Sequence, residues 1–126
     1  MLARGEAVGA LAATEPGGGS ALPHAVACHA RLDNDWWILS GEKLFITNGP
    51  IADVVFVLAR TSSDPGPFSL SLFAVPSSTA GFEMTRTLDK LGCRSSPTAG
   101  SASVNVACLG PISWVVSITA IRRSCA

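Results

Sequence analysis

Three consecutive glycines in ATEPGGGS, residues 13 to 20, could let the backbone approach a flat or charged ligand closely. The segment lacks the lysine of a GxxxxGK[ST] phosphate loop, and a GxGxxG fingerprint that started at Gly17 would need glycine where Leu22 stands. Ser20 does not fit the GxSxG nucleophile motif, because Ala21 and Leu22 follow it. A plain turn and a ligand-contacting loop therefore remain as the two interpretations of these glycines.

Three further side chains could be imagined as metal ligands, namely His24, Cys28 and His29. On a strand, Cys28 and His29 would point to opposite faces, so we predict surface or partly buried side chains instead. The cysteines are irregularly spaced and form no CxxC pair, so we predict neither a zinc site nor a disulfide framework. Reduced thiols are expected at all four positions, Cys28, Cys93, Cys108 and Cys125.

Short apolar segments separated by turn residues make up most of the chain, without sustained helical periodicity. Asn48-Gly49-Pro50 is one strong turn signal, and Ser40-Gly41 would divide 36–47 into two strands. This pattern predicts an all-β fold, a short-stranded barrel or sandwich of two packed sheets. A helix remnant is expected at 1–5, where Gly5 would end the last turn. The other predicted strands are 6–13, 25–32, 52–60, 69–75, 81–88 and 101–109, with loops at 62–68 and 91–100.

The composition fits one domain with a core and a weakly charged surface. Of the 126 residues only 14% are charged, against roughly 25% in a typical soluble domain, which suggests surfaces that something else covers. The net charge of zero gives no electrostatic basis for binding nucleic acid or an anionic membrane. No signal peptide is visible, and the longest apolar run, 111–121, is shorter than the roughly 20 residues of a membrane span.

Three stretches, in this order and at these distances, carry a family resemblance. They are ATEPGGGS (13–20), LSGEKLFITNGPIADVVFVLART (39–61) and LDKLGCRSSPT (88–98). Over roughly residues 5 to 109 the chain resembles the middle β-domain of the acyl-CoA dehydrogenases, flavin enzymes that oxidise an acyl-CoA thioester at its α and β carbons. The resemblance divides the chain into a helix remnant (1–5), the β-domain (6–109) and an atypical apolar tail (110–126).

The resemblance implies an FAD site on two segments. The first runs along the pyrimidine edge of the flavin, with the Thr14 hydroxyl as a donor and Ser20 also against the acyl-CoA. In the second, Thr47 lies near flavin N5 and Phe45 replaces the usual tryptophan of the aromatic wall. Ala21 stands where the family usually has an aspartate that could brace the loop. The implied cofactor-binding residues are Leu11, Ala12, Ala13, Thr14, Glu15, Pro16, Gly17, Gly18, Gly19, Ser20, Phe45, Ile46 and Thr47.

The resemblance also implies what the chain lacks. In the family a carboxylate base in a C-terminal helical domain removes the α-proton while the β-hydride passes to flavin N5. No carboxylate of this chain matches that base, including Glu6, Glu15, Glu42 and Glu83, so no catalytic residue is assigned and an incomplete enzyme is expected. Arg94 is assigned to loop packing against another domain rather than to catalysis.

The family further implies an acyl-CoA substrate, an electron-transfer acceptor as partner, and a homo-oligomer only in the full-length protein. Its expected location is the bacterial cytoplasm or the mitochondrial matrix. A different class of function is also open, a non-catalytic β-domain that acts as a binding or assembly module, which the low charge and the apolar tail favour. The tail itself is interpreted either as an exposed, aggregation-prone strand or as a product of a shifted reading frame, which would make the chain a fragment without a separate function.

Overall fold

The computed structural model describes residues 1–20, 22–63, 69–85, 87–109 and 115–117. Ala21, Cys125 and most of the 110–126 tail lie outside the described residues, as does most of the predicted 62–68 loop. The described strands are β1 (Gly9–Ala12), β2 (His29–Asp33), β3 (Trp36–Thr47), β4 (Val54–Arg60), β5 (Leu70–Pro76), β6 (Phe82–Met84), β7 (Thr98–Leu109) and β8 (Val115–Ser117). One short helix, α1 (Leu22–Ala25), and two 3₁₀ turns (Leu2–Arg4 and Gly49–Ile51) complete the described elements.

All eight strands join in one hydrogen-bonded sheet, so the predicted all-β class is confirmed. The strand order is β6-β7-β3-β2-β4-β5-β8, and β1 pairs in parallel with β4. The sheet curls into a half-barrel, and the two predicted sheets are thus continuous through hydrogen bonds in the described part of the chain. The 3₁₀ turn Leu2–Arg4 ends at Gly5 with a left-handed φ of 69°, in agreement with the predicted glycine stop.

The predicted turn at Ser40-Gly41 is wrong, because β3 runs through both residues without interruption. Ser40 pairs with His29 of β2 on one edge, and Gly41 pairs with Val104 of β7 on the other. Glycine is required at 41 by close packing, since a Cβ there would lie 2.6 Å from the Cβ of Cys28. The glycine therefore allows two strands to approach and does not mark a turn.

Several predicted boundaries also differ from the structure. The predicted strand 25–32 begins with the end of α1, and β2 starts only at His29. The predicted strand 81–88 is reduced to β6, followed by an isolated bridge between Thr87 and Ala99. The predicted loop 91–100 ends early, because β7 starts at Thr98 to pair with Thr47. Part of the tail, β8, pairs with β5, which agrees with the strand interpretation of that segment.

The core is one cluster of buried apolar side chains, most of them from the central strands. Its fully buried side chains include Leu39 and Ile46 of β3, Val55 and Val57 of β4, and Phe73 of β5. The Trp37 and Phe73 rings pack in an edge-to-face arrangement, with centroids 5.5 Å apart. No helix in the described part of the chain is long and apolar enough to cross a membrane.

Candidate functional site

The glycine-rich segment follows directly from β1 and closes a tight turn. The Gly18 amide donates to the Glu15 carbonyl at 3.0 Å, and the Glu15 amide donates to the Gly18 carbonyl at 3.4 Å. Gly18 has a φ of 148°, which a residue with a Cβ rarely adopts. The glycines therefore do form a turn, and the turn leaves Pro16 and Gly17 exposed.

The second segment sits where the two-residue burial alternation of β3 is interrupted, while Leu39 and Ile46 still belong to the same core. Lys43 and Ile46 are both buried although they are three residues apart, which breaks the two-residue alternation of a strand. Phe45, between them, has a left-handed φ of 55°, and the register with β7 passes from Leu44–Ser101 to Ile46–Ala99 without a Phe45 pair. A bulky side chain at positive φ is a strained outlier. The consequence is an aromatic residue that is 60% exposed near the end of β3.

One backbone hydrogen bond joins the two segments. The Leu44 amide donates to the Thr14 carbonyl at 2.8 Å. The bond fixes the loop beside β3, one residue before Phe45 and three before Thr47. The structure thus brings together two segments that are 30 residues apart in the chain.

The predicted site residues divide into exposed and buried groups. The side chains of Leu11, Phe45 and Thr47 are exposed, and Thr14 is half-buried. Within the described residues, neither the Thr14 nor the Thr47 hydroxyl has a hydrogen-bond partner, so both can donate to a ligand. The side chains of Ala12, Glu15 and Ile46 are buried, which leaves only their backbone atoms for a ligand.

A buried ion pair lies behind this site, and the sequence analysis did not find it. The Lys43 ammonium lies 2.6 Å from Oε1 of Glu15, with side chains that are 0% and 4% exposed. The Glu15 carboxylate also accepts hydrogen bonds from the backbone amides of Ala27 at 2.6 Å and Cys28 at 3.0 Å. Lys43 donates in addition to the Ala13 carbonyl at 3.4 Å. The position of Lys43, four residues after the inward-facing Leu39 on one strand, was the signal that could have revealed its burial.

The predicted surface or partly buried position is wrong for Cys28, which is 1% exposed and packs against Gly41 just before β2. His29, the first residue of β2, is exposed as predicted. Burial raises the pKa of the Cys28 thiol to about 11, although Lys43 nearby acts in the opposite direction. Burial also raises the pKa of the Cys108 thiol. Both thiols are therefore protonated at neutral pH, which suits packing rather than nucleophilic chemistry.

Two open depressions flank the middle of β3. One, of about 360 Å³, lies beside the loop and is lined by residues that include Glu15, Gly17, Cys28 and Gly41. The other, of about 550 Å³, lies beside Leu44, and its lining includes Thr85 and Ser101. Neither depression is enclosed, so each offers an open surface that a ligand can lie against rather than a pocket that surrounds one.

Arg94 lies on the surface, in an exposed ion pair with Asp89. The loop that carries Arg94 is held instead by Lys90, whose ammonium donates to the Ser96 carbonyl at 2.6 Å and the Thr98 hydroxyl at 3.0 Å. An exposed pair of this kind contributes little to stability. The packing of this loop against another domain stays a prediction.

Comparison with known proteins adds independent evidence. The family model described as "Acyl-CoA dehydrogenase, middle domain" matches residues 10–105. The mitochondrial long-chain specific acyl-CoA dehydrogenase of Sus scrofa is 42% identical over 101 residues, which are 79% of this chain and 23% of that protein. The chain thus spans about a quarter of the length of the curated relatives that it matches.

Solved structures agree with this match. A protein from Mycobacterium smegmatis assigned to the acyl-CoA dehydrogenases is 48% identical, with a TM-score of 0.78 over 85% of this chain and 28% of its own. A glutaryl-CoA dehydrogenase from the same organism, in complex with FADH₂, is 37% identical, with a TM-score of 0.76 over 89% of this chain and 28% of its own.

Proposed function

Because the chain belongs to the acyl-CoA dehydrogenase family, within the middle domain, we propose that it forms the flavin- and acyl-CoA-facing wall of an FAD-dependent acyl-CoA dehydrogenase. The observation that carries this proposal is the arrangement around the Leu44–Thr14 hydrogen bond. There the exposed ring of Phe45, on a strained backbone, lies on the segment that adjoins the Thr14 loop. The hydroxyls of Thr14 and Thr47, one on each segment, have no partner among the described residues. Strain at an exposed ring, without burial to offset it, is typical of a ligand-contacting position.

The residues present fit a flavin. An isoalloxazine ring needs donors for its carbonyls and N5 and a snug wall on one face. The Thr47 hydroxyl would donate near N5, the Thr14 hydroxyl would donate to the pyrimidine edge, and Phe45 would supply the wall. Ser20, exposed at the end of the loop, would contact the acyl-CoA. When bound, FAD would accept the hydride from the β carbon of the thioester.

The catalytic base is proposed to lie outside the part of the family that this chain matches. Glu15 is closest in sequence to the loop, but its carboxylate is buried, paired with Lys43 and saturated by two backbone amides. A carboxylate held in this way is poorly placed to remove a substrate proton. The chain alone is thus proposed to bind flavin weakly, since it provides one wall of the site, and to lack turnover.

Titrating the chain with FAD tests the proposal, with quenching of flavin fluorescence as the signal. A Thr14→Val/Thr47→Val variant removes both hydroxyls at nearly constant volume, and Thr79→Val is the matched control on the turn after β5. Losing two hydrogen bonds should raise the dissociation constant about tenfold or more in the first variant only. Equal binding by all three chains would exclude these hydroxyls as flavin donors. Turnover by the wild-type chain with an electron acceptor would contradict the proposal that the chain alone lacks turnover.

A second candidate function is a non-catalytic binding or assembly module. It is favoured by large apolar side chains that the described structure leaves exposed, which include Leu2, Leu11, Leu32 and Leu91. The same titration separates the two functions. A module would show no FAD binding by the wild-type chain.

A further inference from the structure

The ion pair of Glu15 and Lys43, here called the buried pair, joins three separate segments. Glu15 belongs to the glycine-rich loop, Lys43 belongs to β3, and the Ala27 and Cys28 amides that Glu15 accepts lead into β2. The Lys43 ammonium also reaches the Ala13 carbonyl at 3.4 Å. The charged groups are therefore saturated by partners from both sides of the loop.

Such a pair is a weak source of stability, because both charges lose their hydration when they are buried. Well-packed apolar side chains of similar volume would often serve the fold as well or better. The pair instead fixes an orientation, because a carboxylate that accepts from three donors is held in one position. Glu15 directly follows Thr14, and Lys43 directly precedes Leu44, so the pair lies next to the Leu44–Thr14 hydrogen bond of the candidate site.

From this geometry we infer that Glu15 and Lys43 are positioning residues, which set the distance between the Thr14 loop and the β3 segment that carries Phe45 and Thr47. The inference rests on the proposed function for its ligand, since the two segments matter together only if one flavin contacts both. The side chains of the pair are 0% and 4% exposed, so their charged groups are covered and any ligand contact of Glu15 is made by its backbone. These side chains lie behind the site and hold the Leu44–Thr14 bond in register.

The test neutralises both charges together. In a Glu15→Gln/Lys43→Met variant no unpaired charge remains in the core, so the chain should stay folded. Exchange of the Leu44 amide with deuterium should become about tenfold faster, while the amides of β4 keep their wild-type rates, because only the local restraint is lost. The dissociation constant for FAD should rise by about tenfold. The matched control is Arg31→Met/Asp33→Asn, which neutralises an exposed ion pair on β2 and should change neither quantity.

The two measurements separate this inference from the proposed function. If the wild-type chain binds no FAD, the proposed function fails, and the Leu44 exchange rate alone decides whether the pair holds the loop. A wild-type Leu44 exchange rate in the neutral variant overturns the inference, whatever the FAD affinity. Faster Leu44 exchange with unchanged FAD affinity also overturns it, because the pair would then hold the loop without positioning the flavin.

A second variant covers the case in which the neutral variant does not fold. Glu15→Asp keeps both charges and shortens the carboxylate by one methylene, so the fold is retained while the reach to Lys43 and the Ala27 amide is reduced. The same two measurements are made. Faster Leu44 exchange together with weaker FAD binding supports the positioning role, and wild-type values for either overturn it.

Discussion

Replacing Phe45 with glycine and with alanine tests whether the backbone at this position is strained. Any residue with a Cβ at the left-handed φ of 55° costs about 1–2 kcal/mol, and glycine does not. Glycine in turn loses about 0.5–1 kcal/mol of unfolding free energy relative to alanine through its greater freedom in the unfolded chain. We therefore expect the glycine variant to be the more stable of the two, by up to about 1.5 kcal/mol and by roughly 0.75 kcal/mol at the middle of both ranges. The loss of phenyl packing is the same in both variants and cancels.

Leu11 provides the matched control, since its side chain is 58% exposed against 60% for Phe45. Leu11 pairs with Phe56 in an extended strand, so alanine should be more stable than glycine there, by about 0.5–1 kcal/mol. The sign of the glycine–alanine difference should thus reverse between the two positions. In urea unfolding followed by tryptophan fluorescence, each difference corresponds to a midpoint shift of roughly 0.5 M.

Higher stability of alanine at both positions would refute the strain at Phe45 and, with it, the main support for a ligand-contacting ring. If the strain is present, the glycine variant should also bind FAD more weakly than the wild-type chain, because the aromatic wall is gone. The alanine variant also lacks the ring and should bind FAD as weakly, so the affinity reports the loss of the ring and the glycine–alanine stability difference reports the strain.

Two further predictions concern the contact between β2 and β3. Gly41→Ala should lower the unfolding free energy by about 1–3 kcal/mol, because the new Cβ would lie 2.6 Å from that of Cys28. The control Gly92→Ala should change it little, since a Cβ there would have nothing within 4 Å. Equal urea midpoints for the two variants would contradict the close packing at Gly41. The Cys28 thiol has a pKa raised from 9.0 to about 11, so its contribution to stability is complete below pH 9 and is lost as the pH rises towards 11. We expect a decrease of about 2 kcal/mol over that range that is absent in Cys28→Ala, and parallel pH profiles for the two chains would contradict it.

The sequence was informative where local chemistry decides the structure. Alternating apolar segments predicted an all-β fold, and Gly5 was correctly expected to end the first turn. The two segments around Thr14 and Thr47 were paired by the family resemblance, and the structure joins them through the Leu44 amide. Their role in binding flavin stays a prediction.

The sequence was misleading where distant strands decide the structure. Ser40-Gly41 has the composition of a turn, but pairing with β2 on one edge and β7 on the other keeps the segment extended. The need for glycine at 41 comes from Cys28, which is 13 residues away in the chain. The burial of Lys43 likewise depends on Glu15, since a lysine alone in a strand is ordinarily expected at the surface.

The pairing pattern of the sheet has a consequence for the order in which the chain folds. β2 and β3 form a local hairpin, but β1 pairs with β4, where Gly9 faces Val54, and β3 pairs with β7, where Lys43 faces Ala102. Closing such long loops is slow, so contacts of this kind form late. The wall around Thr14 and Phe45 needs both pairings, so we expect it to be complete only near the end of folding. A ligand of this wall therefore acts on the finished domain, where it slows unfolding, and gives little help to a nascent chain.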